Sequence, residues 1–206
     1  VTPAGGGGPR SDRDRICQAL LELVGERGYT ALTSAELLER AGVDRATFER
    51  HFSDIEDCFA AVWDEVNFEM DQLLFPVVTK PGPWRERARA ALEAALRFLA
   101  EDDSRACLYV SEAVFGGQAL QERRVTALLR TSAMIDLGRA EAPDPERVPS
   151  VLADAIAGAI WHRAGYLIRR GQSADLPADL PQLLYLMFLP YLGTEAAQEE
   201  LRRPAG

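Results

Sequence analysis

The chain has 206 residues, 47% hydrophobic and 27% charged, and a formal net charge of −9. That length suffices for one small recognition domain and one larger cored domain, and the acidic balance argues against strong indiscriminate binding to phosphate-rich surfaces. No run is long and apolar enough to span a bilayer, because the greasiest, 183–189, is short and meets Pro190. In chain order, residues 1–10 are Gly/Pro-rich and predict a disordered arm. A first helix is expected over 12–27, with Ile16, Leu20, Leu23 and Val24 inward and Gly28 as its stop. Two short helices follow, 34–41 and 45–51. A long fourth helix begins at a second capping box, Ser53-x-x-Glu56, and covers 54–75, where Pro76 should end it. The connection PVVTKPGPW holds three prolines and reads as stiff. Helix five, 84–101, buries Ala88, Ala91, Leu92, Ala95, Leu96 and Leu99. Further helices are expected over 104–114, 118–139, 146–170, 180–191 and 195–202. Gly116-Gly117, the Pro143/Pro145 turn and Gly171 separate the middle ones. No period-2 strand pattern or internal repeat is present, so the fold class is all-α.

The most informative stretch is 33–52. Thr33-x-x-Glu36 is a capping box in which a hydroxyl and a carboxylate satisfy each other's orphan backbone N–H groups. Leu37, Leu38 and Ala41 give the helix it opens an apolar side. Gly42 permits a left-handed turn, and Val43 can bury across it. Asp44 caps a second short helix anchored by Phe48 and Phe52 at i and i+4. Helix, glycine turn and short second helix make a helix-turn-helix, whose second helix enters the DNA major groove.

The wording GYTALTSAELLERAGVDRATFERHFSDIEDCFAAV, residues 28–62, resembles the N-terminal domain of TetR-family transcriptional regulators. EDDSRACLYVSEAVFGGQALQERR and LPQLLYLMFLPYLG are similar, more loosely, to ligand-domain helices of that family. The resemblance covers residues 11 to 200. It implies an N-terminal three-helix DNA-binding domain over 11–56 and a helical ligand-binding and dimerisation domain over 57–206, with an operator duplex, a small-molecule effector and a second copy as partners. It also puts the hydroxyls of Thr33 and Thr47 beside the DNA backbone, with His51 close by. Thr33 otherwise only caps its helix, and His51 is otherwise a surface residue. Arg45 can engage guanine O6 and N7 together, or take a phosphate. The candidate DNA-binding residues are therefore Thr33, Arg45, Ala46, Thr47, Arg50 and His51.

Two departures from the family pattern bear on this surface. Glu49 stands where family members usually carry Tyr, and Ile55 follows Asp54 where they commonly carry Lys. Glu49 on a groove-facing surface either accepts from cytosine N4 or turns aside to Arg45 or Arg50. Residues 1–56 hold seven arginines against ten carboxylates, so the distribution of charge has to supply what the sum does not. Arg10, Arg13 and Arg15 cluster at the N-terminal arm, and Arg45 and Arg50 lie on the recognition helix.

In the second half, Leu152, Ile156, Ile160 and Leu167, with small residues between them, form one apolar stripe. Leu180, Leu184, Met187, Phe188 and Tyr191 form another. Internal packing would explain both. The family resemblance implies instead a four-helix bundle from two subunits, and two recognition helices are needed for a two-half-site operator. Candidate ligand-cavity residues are Trp63, Phe68, Tyr109, Glu112, Phe115, Met134, Trp161, His162 and Tyr166, large apolar walls with a few polar tips.

An enzyme fits poorly: His51 and His162 are the only histidines, and no nucleophile–base pair, glycine-rich phosphate loop or metal-ligand spacing is present. No cofactor or metal is expected. Residues 1–10 have no apolar signal core, and Cys17, Cys58 and Cys107 lack paired spacing, which together predict a cytoplasmic protein with unpaired thiols. The competing reading is a related binding module whose operator recognition is lost or atypical, favoured by Glu49, Ile55 and the acidic first domain.

Overall fold

The computed structural model describes residues 11–203, so the arm expected at 1–10 lies outside them. Helix α1 (Asp12–Arg27) starts at a reciprocal box in which Ser11 and Asp14 cap each other. Helices α2 (Ser34–Ala41) and α3 (Arg45–Glu49) follow, the first opened by Thr33 and Glu36 and the second by Asp44. Helix α3 is shorter than expected. After Glu49 the chain turns, with the His51 N–H donating to the Phe48 carbonyl.

Helix α4 (Ile55–Val78) begins one residue later than the expected box. Asp54 is its cap, accepting from the Asp57 N–H at 2.8 Å, and Ser53 instead donates to the Asp57 carboxylate. The helix also passes through Pro76 rather than ending there. Proline removes only one ladder bond so close to the end, and the Phe75 carbonyl still accepts from the Thr79 N–H.

Helix α5 (Trp84–Ala100) leads to a short α6 (Asp103–Ala106), a wide π turn (Cys107–Ser111) and a 3-10 turn (Glu112–Phe115) in place of one regular helix. Helix α7 (Gln118–Asp136) tightens into a 3-10 turn at Leu137–Glu141. Helix α8 (Leu152–Ile168) starts well after residue 146. Pro149 is the reason: it forces Val148 into an extended conformation (φ −75°, ψ 116°) and lacks an N–H for a preceding helix. Helices α9 (Leu180–Leu192) and α10 (Thr194–Arg202) finish the chain. No strand occurs among the described residues.

One continuous apolar core links all these layers, from Ile16 and Leu20 through Phe59 and Trp63 to Leu184 and Phe188. This burial corrects the expected dimer seam. Ile156, Ile160, Leu167, Leu180, Leu184, Met187, Phe188 and Tyr191 are already buried within a single chain, and Leu152 is half-buried. These stripes serve the protomer's own core. The opposite sides of the same helices are exposed, with Val151 and Tyr166 on α8 and Leu186 and Leu189 on α9.

Helix α10 is latched to α5 by charge. The fully buried Glu200 accepts from Arg85 at 2.6 Å and Arg89 at 2.6 Å, and Arg203 approaches at 3.4 Å. Burial pushes the Glu200 carboxyl up, but the bonds from Arg85 and Arg89 outweigh it and hold the group below the ordinary glutamate range. Replacing Glu200 with Ala strands the arginines and should lower stability by about 3 kcal/mol in urea unfolding at neutral pH. Because the folded carboxyl is depressed, the stabilisation is full above the ordinary glutamate range. The gap between wild type and variant should close only as pH falls below that range.

Candidate DNA-reading head and effector cavity

The head is built around the Gly42 turn. Gly42 is left-handed (φ 63°, ψ 39°), so the Val43 N–H reaches back to the Leu38 carbonyl and α3 crosses α2 at a fixed angle. Phe48 and Phe52 are buried beneath α3, with ring centroids 5.8 Å apart, and the Arg13 guanidinium lies 5.6 Å from the Phe52 ring. Asp44 accepts from the Thr47 N–H at 2.7 Å, and hydrogen bonding from Thr47 holds its carboxyl below the usual range.

This arrangement leaves Arg45, Ala46, Arg50 and His51 exposed along one short helix and its exit, with Thr47 half-buried among them. Arg50 donates to the Thr47 hydroxyl at 3.0 Å. Thr33 is exposed, but its hydroxyl already donates to Glu36 at 2.7 Å and accepts from the Glu36 N–H at 3.3 Å. A phosphate contact there would have to displace the cap's own bond. Glu49 turns aside to Arg45, whose Nε donates to it at 2.7 Å, and this bond raises the Arg45 pKa. The pair is solvent-exposed, and exposed i,i+4 pairs contribute little, so a phosphate or a guanine edge can compete for Arg45. Ile55 is half-buried against the core.

A cavity of about 130 Å³ lies between α4, α5, α7, α8 and α9. Three expected residues, Tyr109, Met134 and Trp161, line it. Trp63 is buried behind that wall: its ring stacks on Tyr109 at 5.1 Å and its Nε1–H donates to the Tyr109 carbonyl at 3.1 Å. Five others need correction. Phe68, Phe115 and Tyr166 are 62%, 55% and 44% exposed, and His162 is also on the surface. Each faces away from the cavity because apolarity alone does not say which side of a helix is inward. Glu112 is also outside it. Its carboxylate accepts from the backbone N–H of Tyr29 at 2.8 Å, tying the turn after Tyr109 to the end of α1.

The floor of the cavity is the α5 face of Ala88, Ala91, Leu92, Ala95, Leu96 and Leu99, together with Met70, Leu74 and Val78 from α4. Ile160 and Met187, expected at a dimer seam, line it too. The readable signal for this was the run of alanines on a core-facing helix, which leaves space that leucines would have filled.

The three cysteines are unpaired, and burial pushes the Cys107 thiol up to about 11, a poor nucleophile at neutral pH. Among the described residues no cluster could hold a metal ion, and no helix is long and apolar enough to cross a membrane.

Residues 16–62 match the family described as bacterial regulatory proteins, tetR family. No curated protein matches the chain. Several solved structures are similar. The fatty acid degradation regulator FadR from Bacillus halodurans aligns at TM-score 0.74 and 18% identity, over 87% of this chain and 95% of that one. A TetR-like transcriptional regulator from Rhodococcus sp. RHA1 aligns at 0.68 and 20%, over 88% and 97%. FadR from Bacillus subtilis, in complex with stearoyl-CoA, aligns at 0.68 and 19%, over 87% and 98%. At these identities the likeness establishes the shared fold.

The joint between the two halves can be tested directly. Replacing Glu112 with Ala leaves the Tyr29 N–H without its partner and should cost about 1–2 kcal/mol of stability. Amide exchange at Tyr29 should speed up while exchange in α9 stays unchanged.

Proposed function

Because residues 16–62 match the tetR family of bacterial regulatory proteins and the fold is shared with solved regulators, we propose that the chain is a ligand-responsive transcriptional repressor of that family. In this reading it binds a two-half-site operator as a homodimer in the cytoplasm. A small apolar or amphipathic effector that fills the cavity releases it. The observation that carries the proposal is the juxtaposition of a helix-turn-helix exposing Arg45, Ala46, Arg50 and His51 with an apolar cavity whose wall residue Tyr109 lies three residues before Glu112, the residue bonded to that head.

The coupling runs through Tyr109. Its ring lines the cavity, its carbonyl holds Trp63 of α4, and three residues later Glu112 holds Tyr29. An effector pressing on Tyr109 therefore acts on the head by two routes. It releases DNA only if it binds the released arrangement more tightly than the DNA-bound one. Half-sites recur at a fixed helical spacing, so a small change in head separation suffices to lose simultaneous docking. The similarity to FadR from B. subtilis, solved in complex with stearoyl-CoA, supports a ligand-responsive role for this fold.

The reading with lost operator recognition rests on Glu49, Ile55 and the acidic head. The exposed Arg45–Glu49 pair is too weak to sequester Arg45, which favours the repressor. A random-sequence selection with the purified protein should yield a specific duplex site. Arg45→Ala should weaken that site roughly ten- to hundredfold and relax preference at one base pair. Uniform weakening across all sequences would assign Arg45 to phosphate, and no selected site at all would leave the repressor reading without support.

The dimer surface we propose is the exposed side of α8 and α9, carrying Val151, Tyr166, Leu186 and Leu189. The double variant Leu186→Glu, Leu189→Glu should sediment as a folded monomer with unchanged helical content and lose two-half-site binding. A dimer that persists in this variant would place the interface elsewhere.

A further inference from the structure

The cavity wall is apolar except for Tyr109, Thr131 and Arg87. The first two have their hydroxyl donors occupied: Tyr109 donates to Asn67 at 3.1 Å and Thr131 to the Ala127 carbonyl at 3.1 Å. Arg87 is the one charged residue of the lining. Its Nη1 donates to the Val78 carbonyl at 2.8 Å. Its Nε, however, is buried with no hydrogen-bond partner, whereas Arg85 on the preceding turn face is bound to Glu199 and Glu200. Buried donors without partners are rare in folded proteins and call for an explanation. A guanidinium in a largely apolar lining is satisfied best by an anionic oxygen, since charge-assisted bonds are stronger than neutral ones and low polarity magnifies the difference.

Size supplies the second constraint. At about 130 Å³ the cavity is comparable with the roughly 150 Å³ that accommodates a benzene ring. It is far short of what an eighteen-carbon acyl chain fills. The neighbouring wall of Ala88, Ala91 and Ala95 is smooth and offers no polar group to a ligand body.

We propose that the effector is a compact carboxylate, its charge paired with the Arg87 guanidinium and its apolar body, no larger than one ring or a six-carbon chain, lying against the α5 alanines. The proposal rests on the effector reading above and narrows it to a chemical class. It also separates this chain from a relative that holds a long acyl thioester.

Trp84 and Trp161 both line the cavity, so tryptophan fluorescence reports occupancy without a label. Titration of the full chain with hexanoate, 1-hexanol and dodecanoate tests charge and size separately. Hexanoate should bind at least tenfold more tightly than 1-hexanol and than dodecanoate. Arg87→Met should abolish the advantage of hexanoate over 1-hexanol while 1-hexanol still binds. Met134→Trp, which fills the cavity, should abolish both. If Arg87→Met does not fold, Arg87→Gln keeps an amide donor for the Val78 carbonyl and serves the same comparison. Equal affinities for hexanoate and 1-hexanol in the wild type would overturn the anionic head group. So would an advantage of hexanoate that survives loss of the Arg87 charge. Dodecanoate binding as tightly as hexanoate would overturn the size limit, and no response to any probe would overturn the proposal as a whole. Operator release by an unrelated molecule, with no hexanoate response, would leave the regulator reading standing and refute this one. Absence of any operator site would fail the regulator reading while the fluorescence titration still decided the ligand class.

Discussion

The bond from Trp63 Nε1 to the Tyr109 carbonyl is the joint on which the rest of the molecule turns. It exists because the chain widens into a π turn at Cys107–Ser111, where a regular helix would have kept its carbonyls within its own ladder. The widening lets one short segment face three ways. Tyr109 closes the cavity, the same residue's carbonyl receives α4, and Glu112 reaches the amide of Tyr29. The cavity and the helix-turn-helix head, which share no side chain, are thus connected through the short stretch from Tyr109 to Glu112.

Electrostatics in the head is arranged locally rather than by net charge. The carboxylates of Asp14, Glu36, Asp44 and Asp54 are consumed as helix caps, where they meet backbone N–H groups and the positive ends of helix dipoles. Glu22 and Glu26 are taken by Arg40, and Glu65 by Arg13. What remains exposed around α3 is Arg45, Arg50 and His51, with Glu49 folded onto Arg45. An acidic total is therefore compatible with a surface that can accept a polyanion.

Burial in the second half follows the same economy. Helices α8 and α9 are apolar nearly all round, and one face of each is spent on the protomer's own core. The faces left over still carry apolar side chains, Tyr166, Leu186 and Leu189 among them. On α5, by contrast, alanines stand where leucines would have closed the packing, and the space they leave becomes the cavity.

Much of this was legible in the residues alone. The caps at Thr33 and Asp44, the turn at Gly42 and the buried pair Phe48 and Phe52 are local signals, each decided within a few residues, and they specified the helix-turn-helix with α2 exact at Ser34 and Ala41 and α3 two residues shorter than expected. Helix α5 and the all-α class followed from periodicity in the same way. Periodicity assigns a face but not a neighbour, so the stripe through Ile156 and Ile160 could be subunit seam or core, and Phe68 and Tyr166, expected in the cavity with core packing as the alternative, are both exposed. Only the packing of distant segments decided these: Phe188 against Trp84, Trp63 against Tyr109, Glu112 against Tyr29. These partners are 104, 46 and 83 residues apart in sequence, and no local propensity couples them. The short range of capping and periodicity is the reason the reading head could be seen in the sequence, while the cavity and its link to that head belong to the tertiary structure.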